Sequence, residues 1–444
     1  MKISHLVLHN FRKFENSRFN FHEQFTVLIG NNGAGKTTVL DALAIALNSY
    51  FLGSGIGAGG GSISNADARL ILTEKGGQVF AEVREDVYLK ASAQIEDNFV
   101  NWRRNIGDRG REAKDLVRIG EISRKKVRKG ESPNLPLLLF YGAGRLWDVH
   151  RKVETEKPNS QLDAYRFCLD PKSDQKAFEK WFKKLTFSKL QKGVESPAID
   201  VVKNAVLECI PGAKDFYHDT EVDQIMINLE REGLVPFNYL SDGFRNMVAM
   251  VADIAHRASR LNPHKGLEAA KKTSGIVLID EIDLHLHPKW QKRVVEDLQR
   301  AFPCLQFIVT THSPFILQSL ESGEVIDLDQ NVDIERVENL PEWVAAPGPA
   351  NEFSNRSIED IIESVMGLNM PQRGQRYQNM YDAAKRYYQV LQQAKEASEQ
   401  EKERLKNELD QLSAPFSDNV AYHAFLEMER LAAGLGKSKA TESE

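Results

Sequence analysis

The chain is poor in cysteine, has no long apolar run and carries no excess of positive charge. Its three cysteines, Cys168, Cys209 and Cys304, are odd in number, scattered and without CxxC spacing. That pattern argues against a disulfide framework and a structural zinc site, and leaves small thiols in a reduced interior. No stretch approaches the ~18 consecutive apolar residues that cross a bilayer, so no membrane partner is expected. The opening MKISHLVLHNFRKF lacks the apolar core of a signal peptide, and the expected location is cytoplasmic. A net charge of −5 makes the molecule as a whole a poor binder of polyanions, so nucleic acid would need a local basic patch. No internal repeat is visible. What remains is a globular composition, 41% hydrophobic and 27% charged, over 444 residues, enough for two or three domains with real cores.

Short apolar runs alternate with helical spacing. Ile3, Leu6 and Leu8 alternate as in a strand, and Phe19 and Phe21 continue a second one. Phe25–Ile29 is an apolar run stopping at Gly30; Val39, Leu40, Leu43, Ala44 and Leu47 then fall at helical spacing. The glycine-rich stretch 53–61 predicts a mobile loop. LILTEK and VFAEVREDVYL predict two strands joined at Gly76–Gly77. Residues 101–130 hold eleven Lys/Arg against four Asp/Glu, and read either as a nucleic-acid patch, with Trp102 and Phe99 to stack bases, or as a solvated loop. Leu137–Tyr141 predicts a buried strand, 151–175 a loop, 176–190 and 198–209 helices, and Gln224–Leu229 a strand. A helix follows Gly243 to about Arg260. Gly275–Ile279 and Gln306–Thr310 are buried strands flanking a helix from Trp290 to Ala301. Such alternation predicts a parallel α/β sheet. Residues 341–355 read as a linker and 375–412 as one long charged helix. In it Tyr377, Tyr381, Ala384, Tyr388 and Leu391 form a coiled-coil-like seam. A shorter helix after Pro415 folds back, and a disordered tail, 437–444, is expected.

Four motifs carry chemistry. Gly30-Asn31-Asn32-Gly33-Ala34-Gly35-Lys36-Thr37 matches GxxxxGK[ST] between a buried strand and a helix. Its glycines let backbone N–H groups converge on phosphates, and the helix N-terminus adds its positive end. Lys36 is expected at the β/γ-phosphates, Thr37 on Mg²⁺, and Thr38 among the ATP-binding residues. Ile276-Val277-Leu278-Ile279-Asp280-Glu281 places two carboxylates at a strand's C-terminal end, where open α/β sheets bind ligands. Asp280 is expected to bind Mg²⁺ through water and Glu281 to act as general base. His312, in Thr310-Thr311-His312-Ser313-Pro314, follows a strand expected beside that of Asp280 and would sense the γ-phosphate. Leu240-Ser241-Asp242-Gly243-Phe244-Arg245 opens a helix, with Ser241 suited to an N-cap and Gly243 to a close phosphate approach.

In this order the motifs, with Asp280-Glu281-Ile282-Asp283-Leu284-His285-Leu286-His287-Pro288, resemble the ABC-type ATPases of the SMC/RecF/OLD group. The resemblance implies an α/β P-loop head with a mixed sheet and an inserted helical lobe, followed by a C-terminal helical region. It also implies a homodimer or higher homo-oligomer clasping ATP between heads, with Ser241, Asp242 and Gly243 completing the site in trans. His285 and His287 then read as part of the D-loop rather than as metal ligands. Asn10-Phe11-Arg12-Lys13-Phe14 resembles the segment placing an arginine near the nucleotide, which points to Arg12. No glutamine of the Q-loop type appears in 51–150; the segment Tyr141–Trp147 is the candidate for that position.

The expected organisation is a head over 1–335 with its lobe at roughly 90–236, a linker and short helix over 336–370, a helical hairpin over 371–436 and the tail. The heptads of a long SMC coiled coil, a zinc hook, a Toprim acid set and an HNH pattern are all missing, so the chain itself is expected to cut nothing. The compact form is most similar to stand-alone anti-phage defence ATPases of the Septu type, which work with a separately encoded HNH nuclease. The alternative is an ATPase of RecF type acting on DNA directly.

Overall fold

The computed structural model describes residues 1–108, 110–144, 160–172, 175–193, 196–329, 353, 356–366, 375–416, 420–433 and 435. The expected linker at 341–355 (Phe353 apart), the tail 437–444, residues 151–159 and 173–174 of the expected loop 151–175, and Arg145, Leu146 and Trp147 lie outside them. The chain divides into two compact units, Met1–Ile361 and Ile362–Glu444.

The first unit is built on two sheets. Strands β1 (Lys2–Phe11), β2 (Phe14–Asn20) and β3 (Phe25–Ile29) open it. An exposed hairpin of β4 (Leu70–Lys75) and β5 (Gln78–Val83) follows, then β6 (Tyr88–Ile95), β7 (Asn98–Asn105) and β8 (Leu137–Tyr141). A meander of β9 (Ala213–Asp219), β10 (Gln224–Leu229) and β11 (Gly233–Pro236) precedes β12 (Gly275–Ile279), β13 (Leu305–Thr310) and β14 (Val325–Asp327). The central sheet runs β14-β3-β13-β12-β8 and is parallel throughout. An antiparallel sheet runs β2-β1-β6-β7. β3, β12 and β13 are buried along their whole length, which is why they read as unbroken apolar runs rather than alternations. The two sheets are joined by Gln306 of β13, fully buried, whose amide bonds both the N–H and the C=O of Ile3 at 2.7 and 2.8 Å.

The segment between the glycine loop and Ser241 is therefore divided among several structures. It gives β6 and β7 to the antiparallel sheet and β8 to the central one, and the meander stands apart. The helices are α1 (Lys36–Leu47), α2 (Lys114–Arg128), α3 (Gln175–Lys192), α4 (Pro197–Cys209), α5 (Asp242–Leu261) and a short α6 (Ala269–Lys272). α1 touches β12 and β13 of one sheet and β6 of the other, so it is apolar on nearly every face. The single helix expected over Trp290–Ala301 is two, α7 (Pro288–Gln291) and α8 (Val294–Ala301). A further turn, α9 (Pro314–Leu317), follows β13.

Three expectations are corrected. Residues 101–130 are not a loop: they form β7 and α2. Trp102 is 3% exposed and donates through Nε1 to Ala46 O at 3.0 Å, so it is closed to bases, whereas Phe99 is 72% exposed. The glycine-rich stretch 53–61 is packed, not free: Phe167 and Leu169 bond its carbonyls, and a Cβ on Gly60 would fall 2.6 Å from Ala44 O.

The second unit holds the end of α10 (Ile358–Met366), then α11 (Gln375–Glu396), α12 (Glu399–Ser413) and α13 (Val420–Ala432). The long charged helix is thus broken at Ala397–Ser398, and α12 turns back on α11. Tyr387, Val390, Leu391 and Ala394 make the core, one position off most of the expected seam, with Leu409, Leu426 and Leu435 against them. Phe425, Met428 and Leu431 leave an exposed stripe on α13.

Close packing makes α2 a test of the fold. A Cβ on Gly120 would lie 2.1 Å from Tyr50 O. Alanine gains ~0.5–1 kcal/mol over glycine inside a helix, but overpacking costs ~1–3 kcal/mol. Gly120→Ala should therefore lower stability by about 1–2 kcal/mol in denaturant unfolding; a more stable variant would show that α2 does not press on Tyr50.

Candidate functional site

The site forms where the central strands end. β3 runs into Gly30, and the loop 30–35 turns into α1. Gly30, Gly33 and Gly35 adopt φ of 141°, 83° and 100°, conformations that cost glycine little. Gly35 is also pressed by the turn between β1 and β2: a Cβ there would meet Phe14 Cζ at 2.6 Å. Asn31, Asn32 and Gly33 are exposed and Ala34 is buried.

Lys36 is buried, and its Nζ donates to Gly30 O at 2.7 Å and Asn31 O at 3.2 Å, so the ammonium lies across its own loop. Burial lowers its pKa from the ordinary lysine value, and the carboxylates of Asp329, Asp280, Glu281 and Asp283 act against that shift. Thr37, exposed at the first turn of α1, donates through Oγ1 to Asp280 at 3.0 Å. Thr38 is half-buried beside it.

Asp280 is 6% exposed at the end of β12. It also accepts from Thr310 Oγ1 at 2.7 Å, while its N–H donates to Tyr141 O at 2.8 Å. β13 lies between β3 and β12, so Thr310 comes from the strand separating the glycine loop from the acidic pair. Glu281 follows with φ of 50°, a left-handed conformation that non-glycine residues rarely take. Its N–H is fixed by Thr310 Oγ1 at 2.7 Å, and it remains half-exposed.

His312 is exposed between two anchored neighbours. Thr311 Oγ1 donates to Asp283 at 2.6 Å; Ser313 caps α9 by accepting from Phe315 N–H at 3.2 Å and donates to Gln291 Oε1 at 2.6 Å.

At the opening of α5, Ser241 is exposed and stands at the N-cap position, yet its hydroxyl makes no capping bond. Asp242 pairs with Arg245 at 2.7 Å. Gly243 is buried, and a Cβ on it would lie 2.0 Å from His285 O. Packing against the 282–288 loop, rather than room for a phosphate, therefore accounts for that glycine within one chain. His287 caps α7 through Nδ1, which accepts from Lys289 N–H at 3.2 Å. Among the described residues no cluster of three His, Cys, Asp or Glu is placed to hold a metal.

Arg12 is not on the glycine loop. Its guanidinium bridges Asp41, one turn along α1 from Thr37, at 2.6 Å and Asp67 at 2.9 Å. The neighbouring Lys13 reaches the loop instead, donating through Nζ to Gly33 O at 2.9 Å. The adjacent basic pair in the sequence was the available signal; the turn, with Arg12 at φ of 50°, decides which of the two faces the site. Asp329, two residues beyond β14, was also missed as a site residue. Its carboxylate accepts from Asn31 N–H at 2.6 Å.

A family model described as an AAA domain matches residues 5–201, and one described as "AAA domain, putative AbiEii toxin, Type IV TA system" matches residues 105–318. The chain is 25% identical over 382 residues to the Retron Vc95 probable ATPase of Vibrio cholerae serotype O1 biovar El Tor, 73% of each chain. It is 25% identical over 423 residues to the Septu protein PtuA of Bacillus mycoides, 93% of this chain but 50% of that one. A crystal structure of an SmcHead bound to the C-winged helix domain of ScpA is similar at a TM-score of 0.42, with 16% identity over 74% of this chain and 94% of that one. AAA-domain models thus match between residues 5 and 318, around a glycine loop and an acidic strand end joined by a hydrogen bond, and over most of its length the chain resembles proteins named retron ATPases and PtuA.

Proposed function

We propose that this chain binds and hydrolyses ATP as a subunit of an anti-phage defence complex and thereby regulates a separate nuclease partner. The observation that carries the ATPase part is the bond from Thr37 Oγ1 to Asp280, which joins the glycine loop to the acidic strand end at 3.0 Å. A hydroxyl and a carboxylate at that distance are hard oxygen ligands of the kind Mg²⁺ takes. Thr37 and Asp280 would hold it, and when bound it would neutralise charge on the phosphates.

The chain's own residues supply the rest. The N–H groups at the start of α1 bind the phosphates, and Lys36, already directed along the loop, adds a positive charge. Lys13 extends that charge from the β1–β2 turn. Glu281, half-exposed and fixed through its backbone by Thr310, accepts the proton of the attacking water as general base. His312, carried on a strand end between anchored residues, senses the γ-phosphate. Ser241, Asp242 and Gly243 act in trans, and the exposed, uncapped hydroxyl of Ser241 supports that reading for the serine. The similarity to proteins named retron ATPases and PtuA supports the defence role.

A second reading, direct action on DNA, is favoured by one feature. Arg104 and Arg124 are buried structural residues, but α2 and its end leave Lys114, Arg118, Lys125, Lys126, Arg128 and Lys129 exposed.

Lys36→Ala should abolish ATP binding in a titration with a fluorescent analogue; normal affinity would remove the glycine loop from the nucleotide site. Glu281→Gln should keep binding, lower turnover by ~10²–10⁴-fold and trap a dimer of heads in sedimentation; undiminished turnover would exclude Glu281 as the base. Purified with the products of its neighbouring genes, the full chain should form a complex with an HNH nuclease whose activity follows the nucleotide. A chain that leaves every neighbour behind, and binds duplex DNA with a steep salt dependence, would favour the second reading.

A further inference from the structure

The end of β8 touches both the acidic strand end and α5. Tyr141 O accepts the N–H of Asp280 at 2.8 Å. The hydroxyl of the same residue donates to Asp253 Oδ2 at 2.8 Å. Asp253 lies on α5, three turns beyond Ser241. It is held there by Arg257, whose Nε donates to both carboxylate oxygens at 3.0 Å and whose Nη1 donates to Ala164 O at 2.7 Å and Arg166 O at 3.0 Å. Asp253, Arg257 and Tyr141 thus form a network between α5, the 160–166 segment and the strand next to β12. Burial pushes the Asp253 carboxyl up, but Arg257, His256 and Tyr141 outweigh it and bring its pKa to about 2, so the acceptor is charged at any neutral pH. His256, its ring tilted against that of Trp181 at 3.9 Å, is kept neutral by burial, its pKa brought down to about 4.

We infer that Tyr141 is the positioning residue that couples nucleotide at Asp280 to α5, its backbone reading the acidic strand end and its hydroxyl setting the helix that presents Ser241. The inference rests on the proposed nucleotide site. Tyr141 opens the segment that the sequence offers as the candidate Q-loop position, and there it makes a backbone bond to Asp280 and a side-chain bond to Asp253. A movement of Asp280 against Thr37 would pull on β8 through one peptide group, and the phenol, a rigid lever with two rotatable bonds, would carry it to Asp253.

Hydrogen exchange of the full chain with and without ATP·Mg tests this, with Tyr141→Phe as the variant because it removes one oxygen and keeps the ring. In the native chain ATP should slow exchange both in the loop and first turn of α1, residues 31–40, and in the first turns of α5, residues 242–250. In Tyr141→Phe the loop should keep its protection, which also shows that the variant is folded and binds, while the protection of α5 falls at least fivefold. Turnover should fall with it at an unchanged KM. An α5 response equal to the native one, or a native chain whose loop responds and whose α5 does not, would overturn the coupling and leave the nucleotide site intact. Absence of loop protection in the native chain would instead sink the nucleotide site on which the inference stands.

Discussion

Asp280 is a carboxylate at the end of a strand that is otherwise closed to water, and a buried charge must be paired or hydrogen-bonded to persist. Its oxygens are met by two threonine hydroxyls, one from the first turn of α1 and one from the end of β13. Its N–H is met by Tyr141 O at the end of β8. Three elements that pass far apart in sequence are therefore registered on one residue. Thr310 is the economical part of the arrangement: its hydroxyl donates to Asp280 while accepting from Glu281 N–H. The same side chain thus holds the metal-binding candidate and the backbone of the proposed base in one geometry. The left-handed conformation of Glu281 is tolerated because that bond and the sheet fix it from both sides.

Two glycine patterns show how similar sequence signals arise from different physics. In the 30–35 loop the positive φ values are what the turn needs. At Gly243 and Gly60 the backbone is ordinary, but a carbonyl lies where a Cβ would be. The Gly243 contact ties the opening of α5 to the 282–288 loop in the same chain. Ser241, the residue proposed to act on another copy, thus stands two residues from a close contact with the loop that follows its own acidic strand.

Much of the site was legible because its parts are local. A strand buried on both faces reads as an apolar run, a phosphate loop needs glycines at fixed intervals, and both signals fall within a dozen residues. The central strand order was less accessible, since nothing in Leu137–Tyr141 or Val325–Asp327 states which strand each will pair with. Neither β6 nor β7 is predicted as a strand of its own, and the pairing of β6 with β1 spans some eighty residues. That Lys13 rather than Arg12 bonds the glycine loop was not legible, because a turn with one positive φ exchanges the faces of adjacent residues. Asp329 was passed over because its partner, a backbone N–H, leaves no trace in the sequence. The break at Ala397–Ser398 was invisible for a similar reason: apolar periodicity runs through both helices, and antiparallel packing needs only two residues to reverse the chain.

The antiparallel sheet belongs to the site as well. Lys13 and Phe14, which press on the glycine loop, sit at the far end of β1 from Ile3, and Ile3 is bound to Gln306 on β13. Gln306 also donates to His22 O at 2.8 Å, where the chain leaves β2 for β3. A buried glutamine in a strand is costly unless each of its polar atoms is matched, and here the matches are main-chain groups that an apolar residue would leave unsatisfied. Its position fixes β1 along its own axis against the strand that carries Thr310. The β1–β2 turn is thereby set in register with the acidic strand end, and Lys13 meets the glycine loop from one sheet while Asp280 meets the first turn of α1 from the other.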